Sequence, residues 1–297
     1  MRLIVVFNRS SGALLGQDAD ALALEVKTIL KNHGHDVTTE LADGAAVVKT
    51  LTRARANADA VIVGGGDGTI ASAAQALIGT DTALGVLPLG TMNLFARDLG
   101  LPLAVKDAAT ALAGAAPKLI DVGEVNGKVF LCTSSLGIFS LLARRRERQR
   151  HDPNPLKWIG AIGATIVALG RQTPFSILLR NENGAMRVRT RAVVISNNAY
   201  DGGIFGPSLK RPILDSGKLC VYVTRKHSAW GMLFLFAELF IGNWMQDPEI
   251  EMRPLARMFV HSRRPHLSVM NDGEVLLLKT PLRYRIRPRS LKVLVPQ

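Results

Sequence analysis

Apolar and polar residues follow one another along the first 120 residues in the order typical of strands alternating with helices. Short apolar runs predict buried strands, and apolar residues three and four positions apart predict amphipathic helices. The predicted strands are residues 3–7, 36–40, 60–63 and 84–87, and the predicted helices are residues 19–32, 45–57 and 70–77. Because strands and helices alternate, we predict an α/β domain whose mostly parallel sheet is covered by helices.

From residue 125 onward the pattern changes to short stretches in which apolar and polar residues alternate, separated by glycine, asparagine and proline. This alternation is typical of antiparallel strands with one face buried. The predicted strands are residues 129–131, 175–179, 187–195, 219–223, 267–269, 275–278 and 282–286. We therefore predict a second, β-rich domain.

Three stretches of the second half have a different character. Residues 141–150 predict a helix that carries a dense run of basic residues. This run is either a solvated helix face or a contact surface for a membrane or an acidic substrate. Residues 158–169 and 229–245 are strongly apolar. The last of these is shorter than the roughly 20 apolar residues of a spanning helix and contains Glu238, so we predict a buried or interfacial helix there.

Composition and charge limit the functions that the chain can have. A chain of 297 residues with 47% hydrophobic residues can build a packed core, and its length favours two domains. The two cysteines, Cys132 and Cys220, match no metal spacing and fit a reducing cytoplasm.

The positive net charge of the chain, +13, comes from residues 121–297, which carry 27 Lys and Arg against 13 Asp and Glu. This asymmetry indicates a polyanionic partner, either nucleic acid or an anionic membrane surface. An aromatic content of 5% and the lack of a base-recognition module argue against nucleic acid.

The residues 64–69, Gly-Gly-Gly-Asp-Gly-Thr, connect a predicted buried strand to a predicted helix. Glycines let the backbone approach a ligand closely, and the free N–H groups of a helix N-terminus favour a phosphate. An acid beside phosphate repels it unless a divalent cation lies between them, so Asp67 indicates a magnesium-nucleotide site. The alternative is a structural βα turn. The spacing matches neither a Walker A loop nor a Rossmann dinucleotide motif.

Two further turns follow predicted strands, at residues 8–12 and 90–93. Ligands of open α/β sheets bind outside the carboxyl ends of the strands. The three turns could therefore converge on one site.

Together with Asn271-Asp272-Gly273-Glu274, the turns at 8–12, 65–69 and 88–97 resemble the diacylglycerol kinase catalytic family, which includes bacterial soluble lipid kinases and sphingosine kinases. The similarity spans nearly the whole chain. It implies an ATP site between an α/β N-terminal domain, residues 1–124 joined by a returning strand at 288–297, and a sandwich-like C-terminal domain, residues 125–287. It also implies ATP-dependent phosphorylation of a lipid hydroxyl.

The resemblance assigns roles to individual residues. Asp67 would hold the catalytic magnesium, and Asp272 or Glu274 would orient and deprotonate the acceptor hydroxyl. If the strand is regular, Asp272 and Glu274 lie on one face, and we expect Glu274, with the longer reach, to be the base. Alternatively, Asp272 only forms a hairpin turn. The residues that would surround the nucleotide are Asn8, Ser10, Ser11, Gly12, Thr39, Gly65, Gly66, Asp67, Gly68, Thr69, Ser72, Gly90, Thr91 and Asn93.

Two positions depart from the family's pattern. The chain has Ala71-Ser72 where the family usually has an Asn-Glu pair, which removes two polar groups beside the nucleotide. The family's structural magnesium lies near an Asp-Gly turn, where Ser216 replaces the ligating acid. Asp215 could substitute after a shift of one residue, but Lys218 adds positive charge. We expect this second magnesium site to be weak or empty.

The function that we predict is therefore an ATP- and magnesium-dependent lipid kinase, cytoplasmic and peripherally attached to anionic membranes, acting on a lipid such as diacylglycerol. A soluble NAD kinase shares the glycine turn but not the stretch 88–97. A non-catalytic nucleotide-binding or nucleic-acid-binding protein is the remaining alternative. The retained acids Asp67, Asp272 and Glu274 argue against a dead kinase.

Overall fold

The structure is a computed structural model, and it describes residues 1–14, 18–137, 140, 175–181, 184–201, 210–226, 228, 231, 238, 244 and 247–297. The chain forms two compact units. The first contains Met1–Val122, Leu214–Ser216 and Arg287–Gln297, and the second contains Gly123–Ile213 and Gly217–Ile286. The chain therefore passes between the units more than once.

The first unit alternates strands and helices. Its elements are β1 (Arg2–Asn8), α1 (Ala19–Asn32), β2 (Asp36–Ala42), α2 (Ala45–Ala54), β3 (Ala60–Gly65), α3 (Asp67–Leu77), β4 (Ala83–Pro88), α4 (Leu94–Asp98) and α5 (Val105–Ala113). The strands run parallel in the order β2-β1-β3-β4. This arrangement confirms the predicted α/β domain with a mostly parallel sheet.

Burial explains why these strands form where they do. Every residue of β3 and β4 is buried, as expected for strands of a parallel sheet with helices on both faces. The helices pack in two groups, with α1 against α5 and α2 against α3. Asp18 fixes the start of α1 because its side chain accepts hydrogen bonds from the N–H groups of Asp20 and Ala21 at 3.0 and 3.1 Å.

The second unit is built from strands. The remaining elements are β5 (Ala116–Val125), β6 (Lys128–Phe130), β7 (Thr133–Gly137), β8 (Phe175–Asn181), β9 (Gly184–Thr190), β10 (Ala192–Asn197), β11 (Leu219–Thr224), β12 (Ile250–Leu255), β13 (Arg257–His261), β14 (His266–Asn271), β15 (Glu274–Lys279) and β16 (Leu282–Val295). The unit boundaries fall inside β5 and β16.

Two antiparallel sheets enclose the core of the second unit. One has the order β12-β11-β10-β7-β14-β15, and in the other the first residues of β16 are followed by β13, β8 and β9. Alternate residues of both sheets form a single buried cluster that includes Ile195, Val221, Val260 and Tyr284. The predicted sandwich-like second domain is confirmed.

The structure differs from the prediction at two strands. The predicted strand 187–195 is two strands, β9 and β10, because the chain crosses from one sheet to the other at Arg191. The predicted strand 282–286 continues as β16 to Val295, so the final strand is not separate from it.

Several predicted features fall outside the described residues. These are the basic helix at 141–150, the apolar stretch 158–169 and most of the apolar stretch 229–245. Within the part of the chain that the structure describes, no helix has the length and apolar character needed to cross a bilayer.

Candidate active site

In the first unit, the carboxyl ends of three neighbouring strands lie side by side. Strand pairing brings Phe7 level with Gly64, and Gly65 level with Pro88, so the turns after β1, β3 and β4 emerge at one edge of the sheet. The side-chain amide of Asn8 donates a hydrogen bond to the hydroxyl of Thr69 at 2.9 Å. The turn after β1 is thereby tied to the first turn of α3.

The glycines of these turns permit a close approach of two backbones. A Cβ atom on Gly90 would lie 2.6 Å from the Cα atom of Gly66, and a Cβ atom on Gly65 would lie 2.5 Å from the Cβ atom of Thr69. The N–H group of Leu89 also donates to the carbonyl of Gly65 at 3.1 Å. Side chains at these positions would push the turns apart, so the glycine pattern has a steric cause.

Polar groups at this edge suit an anionic ligand. Helix α3 begins after Gly66, and this N-cap residue supplies no side-chain cap. The hydroxyl of Ser11, in the turn after β1, is buried and has no hydrogen-bond partner within the described structure. A helix N-terminus without a side-chain cap and an unpartnered hydroxyl both suit a phosphate group.

Asp67 is the acid of this edge. Its Oδ1 accepts a hydrogen bond from the N–H group of Leu94 at 2.9 Å, which caps the short helix α4. Burial raises the pKa of its carboxyl, and the N–H groups of Leu94, Phe95 and Asn93 oppose that shift. Asn93 has a left-handed backbone with φ 49°, and its side chain closes a ring of hydrogen bonds with the N–H and carbonyl of Gly90 at 2.8 and 2.9 Å.

Two predicted nucleotide residues, Thr39 and Ser72, lie farther from this edge, whereas Thr91 belongs to the turn after β4. Thr39 pairs with Val5 in mid-strand, three residues before the level of Asn8 and Ala42, which is roughly 10 Å along the strand. Ser72 lies five residues into α3, roughly 7.5 Å along its axis. Thr91 is exposed. The structure thus groups the turn residues and leaves Thr39 apart from them.

Asp215, the candidate for a structural magnesium, is half-buried between buried Leu214 and exposed Ser216. Lys218 is exposed nearby in the sequence. In the described ranges, no three His, Cys, Asp or Glu side chains form a group that could hold a metal ion. A weak or empty magnesium site at Asp215 therefore stays a prediction.

In the second unit, Asp272 and Gly273 form the turn between β14 and β15. Asn271 pairs with Glu274, and both turn residues have positive φ, 44° and 90°. Positive φ at both central positions is typical of a type I′ hairpin turn. Asp272 lies in the turn and is buried, whereas Glu274 begins β15 and is exposed. The two side chains therefore do not share one face of a regular strand.

The carboxylate of Asp272 is held by backbone N–H groups. Oδ2 accepts from Leu131 at 2.6 Å, and Oδ1 accepts from Cys132 and Thr133 at 2.8 and 2.9 Å. Burial nevertheless raises the pKa of Asp272 to about 6, against the opposing effect of these bonds and of the charge of Arg211. A carboxylate has about four lone-pair positions, so these bonds leave one, on Oδ2.

Arg211 lies on the opposite side of the same backbone segment and is fully buried. It donates to the carbonyls of Leu131 and Asn197 at 2.6 and 2.7 Å and to the sulfur of Cys132 at 3.1 Å. Residues 131–133 are therefore fixed between a buried cation and a buried acid. The sequence gives no local signal for this, because Arg211 directly follows Lys210 and no periodic pattern distinguishes a buried from an exposed arginine there.

The second unit also contains a partly open pocket of about 290 Å³, lined by apolar side chains and by Arg253. Its walls include Leu179, Met186, Val221, Leu255 and Met258, at the β11 and β12 edge of the sandwich. Asp272 belongs to the hairpin at the opposite edge of that sheet, and β11 is separated from β14 by β10 and β7, roughly 14 Å away. The pocket is therefore not adjacent to Asp272.

Comparison with known proteins identifies the family. Residues 2–125 match the diacylglycerol kinase catalytic domain, and residues 133–295 match the YegS C-terminal NAD kinase beta sandwich-like domain. The chain is 31% identical to a diacylglycerol kinase of Mycobacterium tuberculosis over 92% of this chain and 86% of that protein. This chain belongs to the diacylglycerol kinase family.

Further similarities agree with membership of the diacylglycerol kinase family. The chain is 35% identical to a probable lipid kinase YegS of Salmonella gallinarum over 64% of this chain and 66% of that protein. A putative diacylglycerol kinase structure from Bacillus anthracis has a TM-score of 0.76 at 21% identity and covers 99% of this chain and 96% of its own. The sequence matches confirm the predicted family of lipid kinases, and the structural similarity confirms the predicted fold.

Proposed function

We propose that this protein is an ATP-dependent lipid kinase that transfers the γ-phosphoryl group of ATP to a hydroxyl of a lipid such as diacylglycerol. The observation that carries the proposal is the glycine edge of the first unit. There an uncapped helix N-terminus, a buried unpartnered hydroxyl and one acid follow three parallel strands. This combination of donors and one carboxylate suits a nucleotide phosphate accompanied by a cation.

Asp67 is the residue that would hold the cation. Magnesium takes few protein ligands when phosphates and water supply the others, so a single carboxylate fits it. Oδ1 of Asp67 is engaged by Leu94, which fixes the orientation of the side chain. When bound, magnesium would neutralise charge on the phosphates. The N–H groups at the start of α3 and the Ser11 hydroxyl would orient the phosphate chain.

Asp272 is the acid that we propose as the base, in place of Glu274. A base acts best when its pKa lies near the working pH, and burial raises the pKa of Asp272 to about 6. The single lone pair left on Oδ2 could accept the proton of the acceptor hydroxyl. Glu274 is exposed at the start of β15, where it could guide the lipid headgroup.

The same proposal includes a peripheral attachment to anionic membranes from the cytoplasm. The excess positive charge of residues 121–297 supports it, because basic residues near an anionic surface each contribute about 1 kcal/mol. Both cysteines of the chain are buried and form no disulfide bond, which agrees with a reducing compartment.

A labelled-phosphate assay tests the proposal. The protein is incubated with γ-labelled ATP, magnesium and a total lipid extract, and the labelled product is identified by mass. We expect label on a lipid hydroxyl, with diacylglycerol as the first pure acceptor to try. Label on NAD, or no magnesium-dependent transfer to any lipid, would contradict the proposal.

A further inference from the structure

One outer face of the second unit is rich in arginine. In the sheet that contains β16, β13, β8 and β9, alternate residues point into the core, including Leu282, Tyr284, Met258 and Val260. The residues between them point outward. Six exposed residues among these outward positions make up what we call the arginine face. They are Arg187 and Arg189 of β9, Arg257 and Phe259 of β13, and Arg283 and Arg285 of β16.

Strand register makes these residues one continuous surface. Arg257 pairs with Arg285, and Phe259 pairs with Arg283 on the adjacent strand. Across the sheet, β8 connects β13 to β9, where Leu178 pairs with Arg187. With strands spaced about 4.8 Å apart, the four strands span roughly 14 Å. The five arginines therefore lie on one outer face of the sheet, three on β13 and β16 and two on β9, with β8 between the two groups.

Little negative charge balances this surface. Arg285 forms two hydrogen bonds with the carboxylate of Glu124, at 2.8 and 2.9 Å. Within the described ranges, the other four arginines have no carboxylate partner, and none of the outward positions of β8, β9, β13 and β16 in this sheet is Asp or Glu. The fold gains nothing from placing Arg257 directly opposite Arg285, since like charges at paired positions are destabilising.

We propose that the arginine face is the docking surface for an anionic lipid membrane. Guanidinium groups bind phosphate oxygens in a planar, bidentate manner, and a flat sheet can present several of them to one layer of headgroups. Phe259, which is 40% exposed among the arginines, suits the boundary between headgroups and acyl chains. The proposal rests on the proposed function in that the lipid acceptor is delivered by a membrane.

A nucleic acid fits this surface less well. Proteins that bind single strands use aromatic platforms on which successive bases stack, and duplex binders place a helix or ribbon in a groove. The arginine face offers one exposed phenylalanine on a flat sheet. Its charge pattern therefore favours a two-dimensional array of phosphates over a single polyanionic strand.

Vesicle co-sedimentation of the full-length chain tests the proposal. Phosphatidylcholine vesicles are compared with vesicles that also contain phosphatidylglycerol, for the wild type and for the variant Arg187→Gln, Arg189→Gln, Arg257→Gln, Arg283→Gln. The matched control neutralises four exposed lysines elsewhere, namely Lys31, Lys49, Lys118 and Lys279, each changed to Gln. Both variants have the same net charge.

We expect binding of the wild type to require phosphatidylglycerol and to fall as salt rises, because salt screens exposed charges. Each arginine removed should weaken binding about fivefold, so the arginine variant should lose on the order of several hundred-fold. The lysine control should lose much less. Phe259→Ser should reduce the binding that persists at high salt.

Four outcomes would overturn the proposal. The arginine variant and the lysine control could bind equally, or the wild type could bind neutral vesicles equally well. A single-stranded RNA could bind more tightly than vesicles at the same ionic strength through the same arginines, which would identify a nucleic-acid surface. A change of oligomeric state in the arginine variant without a change in vesicle binding would identify an interface between two copies.

Activity toward lipid dispersed in detergent separates this proposal from the proposed function. Detergent micelles supply the acceptor without an anionic surface, so the arginine variant should retain near wild-type turnover there and lose activity only on vesicles. Docking without any lipid phosphorylation would contradict the proposed function alone. Equal vesicle binding with intact kinase activity would contradict the docking surface alone.

Discussion

Both units hold one acid on backbone N–H groups, but they do so in opposite environments. Asp67 in the first unit is half-buried and uses one oxygen to cap α4 through Leu94. Asp272 in the second unit is buried, and both of its oxygens are engaged, by three N–H groups. Burial raises the pKa of both carboxyls.

Environment therefore separates two chemically identical side chains. Asp67 is half-buried at an edge lined by glycines, which suits a ligand that brings its own charge. Asp272 is enclosed by protein and has one unused lone pair, which suits a group whose proton affinity must be controlled. Substitutions at each site test this division of roles.

The largest effect is expected for Asp67→Asn. The amide oxygen can still accept from the Leu94 N–H group, so α4 should remain capped, but the charge that would hold the cation is lost. Turnover should fall by at least about 10³-fold. Steady-state kinetics with magnesium and ATP measures the loss, and a melting temperature close to that of the wild type excludes misfolding. An active variant at ordinary magnesium would remove Asp67 from this role.

The second test compares Asp272→Asn with Glu274→Gln. Loss of a general base costs about 10²- to 10⁴-fold, so Asp272→Asn should lose that much turnover with saturating ATP and lipid. Glu274→Gln serves as the matched control and should lose less than Asp272→Asn, because Glu274 is exposed.

Asp272→Asn should also lower the melting temperature, since an amide cannot accept all three N–H groups. Assays are therefore made well below the midpoint of unfolding of that variant. If Glu274→Gln loses turnover and Asp272→Asn keeps it, Glu274 is the base. If both variants keep turnover, neither acid of the hairpin takes part in catalysis.

The third test uses two glycines of the first unit. A Cβ atom at Gly90 meets the Cα atom of Gly66 at 2.6 Å, whereas one at Gly114 meets nothing within 4 Å. Gly90→Ala must move one of two backbones, and such overpacking costs about 1–3 kcal/mol. If the displaced turn loses the same free energy of nucleotide binding, affinity falls about 5- to 150-fold. Gly114→Ala is the control. Calorimetric titration with ATP measures both, and equal affinities would show that the close approach does not shape the nucleotide site.

The smallest effect concerns pH. If deprotonated Asp272 is the base, turnover should rise with pH through an acidic limb near 6, the value to which burial raises its pKa. Stability should respond in the opposite sense. The native carboxyl holds its proton to a higher pH than the unfolded chain, so this group's contribution to stability falls as pH rises from about 4 to about 6.

A pH profile of kcat on detergent-dispersed lipid measures the limb, and thermal unfolding over the same range measures stability. Asp272→Asn should flatten the stability decline, with Glu274→Gln as the control. A limb that Asp272→Asn keeps and Glu274→Gln loses would point to Glu274.

The local motifs were predictable from the sequence because their cause is local. The run of three glycines and Asp67 follows a buried strand and opens a helix, and each of these features depends on neighbouring residues. Alternating apolar residues predicted both fold classes for the same reason. The boundaries were less accurate. The chain passes from one sheet to the other at Arg191, and no residue type in the predicted strand 187–195 indicates that crossing.

The tertiary structure alone decided the environment of each acid. Asp272 receives N–H groups from residues 131–133, about 140 positions away in the sequence, and Arg211 reaches the same segment from elsewhere. The sequence does not distinguish a buried arginine from an exposed one. Burial, which raises the pKa of Asp272, depends on packing between distant strands. Likewise, arginines scattered over three strands became one surface only through strand register. The sequence determined which chemical groups this protein has, and long-range pairing determined which of them meet.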